Sequence, residues 1–426
     1  MSYRSIRGME DILPQDAGVW QELERRSRAE LESYGYQEIR TPMLEETAVF
    51  VRSIGETTDI VTKEMYTFSD RKERSLTLRP EGTAPIVRSY IEHSLDKVSP
   101  ELRLYYIGPM FRAERPQKGR SRQFHQVGVE AIGSRSPQVD AEVVMRLNGL
   151  LRAFGLEGFV IKLNSLGCKK DKAAFAEKLK AYLESEKNRL CDDCKTRIDK
   201  NVLRVLDCKN ESCIQLVRNA PNVIDSLCPD CAGHFSKVSA ILETLKIDVK
   251  VTKNLVRGLD YYTGTVFEVT HPALGGQDAI AAGGRYDNLV KDMGGPDVGA
   301  IGFALGIERV MLALGDKKGS FARPAVIYIA TLGEQAKTEG LKFAEELRTK
   351  LNDLHKVNVV TLIDLKESSL KSQMRSADKN GAKAVVIMGE DELKQGKLAI
   401  KDMAQGGEQI LIDRAAVIEE IKKRIC

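Results

Sequence analysis

The stretch Gly108-Pro-Met-Phe-Arg-Ala-Glu-Arg-Pro-Gln-Lys-Gly-Arg-Ser-Arg-Gln-Phe-His-Gln-Val-Gly-Val-Glu130 sets five basic side chains around Pro116 and Gly119. They are Arg112, Arg115, Lys118, Arg120 and Arg122, and apolar runs lie on either side. Upstream, Leu102-Arg-Leu-Tyr-Tyr-Ile107 and, downstream, Phe124-His-Gln-Val-Gly-Val129 have strand composition. Pro and Gly between them reverse the chain. The pattern predicts a hairpin with a basic tip. A solvated surface hairpin would account for the charge. However, Arg112 and Arg120 border aromatic and strand residues, so some guanidiniums are expected over the sheet, where planar cations suit phosphate oxygens.

The surrounding chain of 426 residues predicts two or three domains with ample core. With 42% hydrophobic and 30% charged residues and a net charge of +4, any basic footprint must be local. The first residues, Met1-Ser-Tyr-Arg-Ser-Ile-Arg-Gly8, lack an apolar segment of the signal-peptide kind, and no run of about 18 uncharged apolar residues occurs. A cytoplasmic protein with no membrane partner is expected. The eight cysteines then read as reduced thiols or metal ligands rather than a disulfide framework.

Ahead of the hairpin, Asp16 to Tyr34 reads as a long helix with Val19, Leu23, Leu31 and Tyr34 on an apolar face interrupted by Ser27, stopped by Gly35. Tyr36 to Pro42 reads as a strand. This helix and strand can pack within a monomer or pair across a two-fold axis, and both remain open. Met65-Tyr-Thr-Phe68 and Leu76-Thr-Leu78 read as paired strands around the turn Asp70 to Arg74. Arg79-Pro-Glu-Gly-Thr83 then leads into a helix from Ala84 to Ile91. Thr83 there is sufficiently explained as a helix cap, while Glu81 with Thr83 also suits an ammonium group.

Beyond the hairpin, Gln138 to Phe154 carries apolar residues at helical spacing. A lysine-rich helical insert follows, with six cysteines between 191 and 231. Cys191-Asp-Asp-Cys194 and Cys228-Pro-Asp-Cys231 have the spacing that brings thiolates to one closed, structural tetrahedral zinc; six reduced thiols are the alternative. Downstream, Arg257 precedes a glycine turn. Tyr261 and Tyr262 head into a strand on which neighbours face opposite sides, so one tyrosine at most would line a given pocket. Nine glycines lie between Leu274 and Gly306 in neither a dinucleotide nor a P-loop pattern. Arg309 opens an amphipathic helix after them. From Ala325, strand runs alternate with helical segments, which predicts a separate α/β domain. Its 17 Lys and Arg oppose 16 Asp and Glu, so it is no basic tail.

The basic hairpin, the Pro-ended strand behind a long helix, and the arginine opening a helix after glycines together resemble the three signature motifs of class II aminoacyl-tRNA synthetases. Leu255-Val-Arg-Gly-Leu-Asp-Tyr-Tyr-Thr-Gly-Thr-Val-Phe-Glu268 and Ala282-Gly-Gly-Arg-Tyr-Asp-Asn-Leu-Val290 narrow the resemblance to the histidyl-tRNA synthetase family. It runs over nearly the whole chain and is weakest in the cysteine insert. The implied fold is an α+β catalytic domain with a mixed, mainly antiparallel sheet, split as 1–168 and 247–320 by a helical insertion at 169–246. An α/β anticodon-binding-type domain follows at 325–426.

The resemblance implies an ATP-dependent ligase that joins L-histidine to histidine tRNA through an adenylate, as a homodimer. Arg112 would grip the α-phosphate of ATP, Glu114 accompany its adenine and metal end, and Phe124 stack beneath the adenine. Arg309 would cover the other face. Mg²⁺ would bridge phosphates, with no protein ligands assigned. Glu81, Thr83 and Gln126 would hold the histidine α-amino group and Glu130 and Tyr262 its imidazole, with Gly82 and Tyr261 also counted in the histidine site. Arg257 would join Arg112 as a catalytic cation, and Arg115 and Gln117 would read the tRNA end. Two rival readings exist: a silent synthetase-like regulatory subunit of ATP phosphoribosyltransferase, and a zinc-dependent RNA-binding protein built on the insert. The first typically lacks parts of the ATP and histidine motifs and the C-terminal domain, all of which this sequence keeps. For the second, Phe175, Tyr182 and Phe235 are sparse and read as helix core.

Overall fold

The computed structural model describes residues 3–425 except 57, 277, 322–323, 353–358, 367, 404–406 and 408. The chain divides into two compact units, Met1–Gly319 and Ser320–Cys426.

In the first unit, helix α1 (Pro14–Glu32) buries Leu23, Ser27 and Leu31. Ser27 does not break the apolar face because its hydroxyl is returned to the Leu23 carbonyl at 2.7 Å. The strand expected from Tyr36 to Pro42 is cut short to β1 (Gln37–Glu38), and β2 (Leu44–Glu46) follows it in a separate three-stranded sheet. Pro42 has no N–H to pair, and Arg79 instead takes the Thr41 carbonyl at 3.0 Å. Helix α2 (Thr47–Ile54) leads to β3 (Tyr66–Ser69) and β4 (Ser75–Leu78), which pair antiparallel as expected. Helix α3 (Thr83–Glu92) precedes the hairpin strands β5 (Leu102–Phe111) and β6 (Gln123–Ile132), in register from Leu102 opposite Ile132 to Phe111 opposite Gln123.

Helix α4 (Pro137–Ala153) and β7 (Val160–Ser165) follow. The insert consists of α5 (Lys169–Ser185), α6 (Asp192–Lys200), α7 (Glu211–Arg218) and α8 (Pro229–Thr244). It packs Phe175, Leu179, Leu183, Ile198 and Leu216 into a core that continues to Tyr262 and Val266. The chain then adds β8 (Val249–Val251), β9 (Thr263–Thr270), β10 (Ala279–Arg285), α9 (Leu289–Asp292), β11 (Ala300–Gly306) and α10 (Ile307–Leu314). Eight strands form one sheet in the order β1-β5-β6-β11-β10-β9-β7-β8. Only its outermost pairs, β1 with β5 and β7 with β8, are parallel, so the sheet is mixed and mainly antiparallel. Helix α4 packs against β6 and β11.

In the second unit, β12 (Ala325–Leu332), α11 (Glu334–Asn352), β13 (Val359–Ile363), α12 (Leu370–Lys379) and β14 (Ala382–Gly389) form the expected strand-helix alternation. After the short α13 (Glu390–Lys394) come β15 (Lys397–Asp402), β16 (Gln409–Asp413) and α14 (Val417–Ile425). The strand order is β13-β12-β14-β15-β16, with the first three parallel and the last two antiparallel additions. Phe343, Leu347, Val386, Leu398 and Ile421 fill its core.

Candidate active site

Residues in register across a sheet face the same side, so the pairing fixes which side chains share the floor of the site. One row runs Gly108, Gln126, Gly306. The next runs Tyr106, Gly128, Ala304, Ala282, Glu268, Lys162. The third runs Leu104, Glu130, Gly302, Gly284, Val266, Asn164. Gly302, Ala304, Gly306 and Ala282 leave the middle of the sheet bare, with charged and amide groups on both flanks. A cavity of about 600 Å³ lies on this floor, lined by Arg112, Glu114, Phe124, Gln126, Arg257 and Arg309 among others.

At one end the Arg112 guanidinium stands 5.2 Å from the centre of the Phe124 ring and donates to the Pro80 carbonyl at 2.9 Å. Arg309 is tied to backbone carbonyls, Gly119 at 3.1 Å and Ala279. Burial, with repulsion from Arg120 and Arg112, pulls the Arg309 guanidinium below its ordinary value. Glu114 answers Arg120 at 3.0 Å. The N-terminal segment braces this end: Gly8 accepts from the Arg122 and Gln123 amides at 2.7 and 3.1 Å. Gly8 needs its left-handed φ of +85°, and a Cβ there would stand 2.8 Å from Pro116. Arg115 and Gln117 stand exposed at the hairpin tip. Opposite, Arg257 pairs with Glu268, which also has Lys162 at 3.8 Å, and the Arg257 Nε is buried without a hydrogen-bond partner among the described residues.

The other predicted residues form a closed cluster behind Gln126. Glu81, Thr83, Glu130 and Tyr262 are all buried. Glu130 accepts from the Thr83 hydroxyl at 2.7 Å and from the Tyr286 hydroxyl. Burial, offset only in part by these hydroxyls, raises its carboxyl to about 8. Glu81 accepts from the Thr83 and Ala84 amides at 2.7 and 2.8 Å, and burial raises its carboxyl as well. Capping of α3 therefore falls to Glu81, not to Thr83. Thr83 is already inside the helix, so its hydroxyl is free for Glu130. Gly82 stands at the N-cap, where a Cβ would meet the Tyr106 ring at 2.3 Å. Tyr261 and Tyr262 precede β9 instead of lying on it, so alternation does not separate them, and their rings are 4.9 Å apart. Burial pushes Tyr262 up to about 12, against the pull of Arg257.

Several partners in this site escape a reading of sequence alone. Tyr106 reaches Gln126 at 3.4 Å through a slot between Gly82 and Gly128. Tyr286 lies inside the stretch Ala282 to Val290, but only the fold aims its hydroxyl at Glu130. Glu308 accepts the His125 amide at 2.9 Å and so fixes α10 to β6.

The cysteines correct a sequence expectation. Cys191 and Cys194 converge with Cys208 and Cys213, whereas Cys228 and Cys231 converge with Cys168 and Asp171. The two Cys-x-x-Cys pairs open different helices, α6 and α8, and do not meet at one centre. Phe175 and Phe235 are buried as helix core.

Comparison with known proteins gives the family. A model described as histidyl-tRNA synthetase matches residues 8–310, and one described as anticodon binding domain matches 326–424. The chain is 47% identical over 428 aligned positions to a histidine–tRNA ligase of Halothermothrix orenii, with 100% of both chains covered. It is 48% identical over 409 positions to that of Syntrophotalea carbinolica, covering 96% of each. Apo histidyl-tRNA synthetase of S. aureus superposes with a TM-score of 0.80 at 36% identity, over 99% of this chain and 100% of that one. A Bacillus halodurans structure titled as an ATP phosphoribosyltransferase regulatory subunit/histidyl-tRNA synthetase reaches 0.65 at 23% identity, over 91% and 99%, a likeness of fold alone. With matches that span both units at this identity, the chain belongs to the histidyl-tRNA synthetase family.

Proposed function

We propose that this chain ligates L-histidine to histidine tRNA through a histidyl-adenylate, using the residues assembled on the bare floor. One observation carries the reading. Phe124, Gln126 and Glu130 alternate on a single face of β6, so a cation-flanked aromatic platform and a buried carboxylate site lie side by side in one strand. The first suits a nucleoside triphosphate, with Phe124 and Arg309 about the adenine and Arg112 at the α-phosphate. The second suits histidine. Its α-ammonium brings positive charge to Glu81 and its neighbours Thr83 and Gln126, and its imidazole offers a donor and an acceptor to Glu130 and Tyr262.

In the first step a histidine carboxylate oxygen attacks the α-phosphorus in line, and the bond to the bridging oxygen of pyrophosphate breaks. Arg112 and Arg257 would offset the charge that grows on the non-bridging oxygens. Such a donor typically supplies about 3 kcal/mol. The attacking carboxylate is already ionised, so no general base is needed. In the second step the terminal adenosine of the tRNA displaces AMP from the adenylate. Arg115 and Gln117, exposed at the tip, have donors suited to phosphates and guanine edges.

Glu64 and Glu114 also line the cavity, and their oxygens fit a hard cation, so they are the side chains we would set beside Mg²⁺. That ion would neutralise charge on the phosphate oxygens. The same reading includes a homodimer, favoured by the exposed apolar Met43, Leu44 and Phe68, a cytoplasmic location, and structural zinc in the insert. It also takes 1–168 with 247–320 as the catalytic domain, 169–246 as the insertion and 325–426 as the anticodon-binding domain. The regulatory-subunit alternative is not favoured, because the arginines and the C-terminal unit are all kept.

Pyrophosphate exchange with each amino acid in turn tests the function. Histidine alone should stimulate exchange in the presence of ATP and Mg²⁺. Failure of histidine to do so would refute the reading.

A further inference from the structure

Away from the catalytic floor, we infer that the insert binds two structural zinc ions: one at Cys191, Cys194, Cys208 and Cys213, the other at Cys168, Asp171, Cys228 and Cys231. The positions of these side chains define both sites whether or not the chain is a ligase. In each group the four ligand atoms all lie within 4.8 Å of one another. Cys191 Sγ and Cys208 Sγ are 3.8 Å apart. A tetrahedron of Zn–S bonds about 2.3 Å long has edges of about 3.8 Å, whereas a disulfide would hold its sulfurs at about 2.05 Å.

A local repeat builds both sites. Cys168, Cys191 and Cys228 are the N-cap residues of α5, α6 and α8. Asp171, Cys194 and Cys231 stand three residues further on, so each pair presents two ligands from the first turn of a helix. Cys168-Lys-Lys-Asp171 is thus a Cys-x-x-Cys knuckle with a carboxylate in the second place. Helix N-termini favour anionic ligands. Backbone amides add to this: Cys191 N–H donates to Cys213 Sγ at 3.3 Å and Asn210 N–H to Cys208 Sγ at 3.4 Å. Asp171 accepts from the Cys228 amide at 3.1 Å and the Cys168 amide at 3.3 Å.

The backbone makes room for the carboxylate at Gly167, with φ +67°, where a Cβ would lie 2.6 Å from Asp171 Cβ and 2.8 Å from Leu227 Cδ2. Reduced thiols acting as small apolar side chains would explain the buried Cys194 and Cys213. They would not explain why five half-buried thiols, Cys168, Cys191, Cys208, Cys228 and Cys231, come together with partners from distant sequence. Four protein ligands close each centre, so both are structural. One joins the start of α6 to the turn before α7 and to α7 itself. The other clasps the starts of α5 and α8, closing the insert at its base. A thiolate-rich tetrahedral set suits zinc or iron–sulfur, and the aspartate oxygen of the second site favours zinc.

The test is metal analysis, by plasma mass spectrometry, of the full chain purified without chelator, with released zinc titrated as a mercurial blocks the thiols. Two zinc ions per chain are expected. Cys208→Ser and Cys228→Ser should each retain one. One zinc per chain in the unaltered protein, none, iron in place of zinc, or loss of both ions from either variant would overturn the inference. If the variants do not fold, cobalt loading of the unaltered chain decides it. Two equivalents should enter, with charge-transfer intensity for seven Co–S bonds, four from one site and three from the other. Uptake of fewer equivalents would refute two centres.

Discussion

Replacing Glu130 by Gln should destabilise the free protein at pH 5 and stabilise it at pH 9. The Glu130 carboxyl sits at about 8, compared with 4.5 ordinarily, chiefly because burial disfavours its charge. A folded value raised above the unfolded one gives stability that is fully present below pH 4.5 and is lost as pH rises through about 8. Each tenfold change in proton affinity is worth about 1.36 kcal/mol, so the full interval amounts to about 5 kcal/mol. Water admitted on ionisation and rotation of the Thr83 and Tyr286 hydroxyls recover part of this, leaving about 2–4 kcal/mol. Glutamine keeps the shape and does not titrate. It should therefore cost some stability at pH 5, where the protonated acid is well bonded, and gain at pH 9. The sequence has one tryptophan, and Trp20 stacks edge-on to His125 at 4.8 Å. Its fluorescence reports unfolding of the first unit without interference from the second. Urea titrations of both proteins at pH 5 and pH 9 should give differences that move by about 2–4 kcal/mol in favour of Glu130→Gln at the higher pH. The same difference at both pH values would refute the assignment of a buried, proton-holding Glu130.

Three further outcomes follow from the site. Gly128→Ala sets a Cβ 2.1 Å from the Tyr106 ring. It should raise the KM for histidine at least tenfold in pyrophosphate exchange and cost about 1–3 kcal/mol in stability by overpacking. Arg115→Ala should leave exchange within about twofold and slow transfer of histidine to tRNA about tenfold or more, as expected for one charge-assisted contact. Equal losses in both steps would contradict a tRNA role. Asp140→Ala strands the buried Arg285, which Asp140 holds at 2.7 Å, and should lower stability by about 3–5 kcal/mol in denaturant titration.

The hairpin was legible in the sequence because strand composition and a Pro–Gly reversal are local signals, and its strands run longer than composition suggests. The C-terminal strands were legible for another local reason, as apolar strand runs set apart by helical segments. The floor was not. It needs the register that sets Gly302 opposite Glu130 and Ala304 opposite Gly128, and no local pattern fixes a pairing between β6 and β11 across 170 or so residues. The role of Gly82 and Gly128 was hidden likewise, since the ring that fills their space arrives from β5. At the cysteines the local signal was present but incomplete. A search for Cys-x-x-Cys passes over Cys168-Lys-Lys-Asp171, and the partners of each pair depend on which helices face each other. Tyr261 and Tyr262 were misjudged through the element boundary: a strand beginning at Thr263 frees both from the period of two.

A floor bare enough to take a flat ligand cannot hold itself together by side-chain packing on that face, so the opposite face must supply the rigidity. The period of the strand divides the labour. On β11, Gly302, Ala304 and Gly306 face the site while Ile301, Phe303 and Leu305 face away, each no more than 3% exposed. Behind them α4 buries Val143, Val144, Leu147, Leu150 and Leu151. The same helix carries Asp140, fully buried, which accepts from Arg285 Nε at 2.7 Å, the Thr265 hydroxyl at 2.6 Å and His234 at 2.9 Å. Arg285 ends β10, Thr265 lies on β9, and His234 belongs to α8 of the insert. One carboxylate thus ties two floor strands, the supporting helix and the insert to a single point. A buried ion pair of this kind adds little net stability over an apolar substitute, but its geometry is exacting. That fits a role in fixing the register on which the spacing between the Arg112 end and the Glu130 end depends.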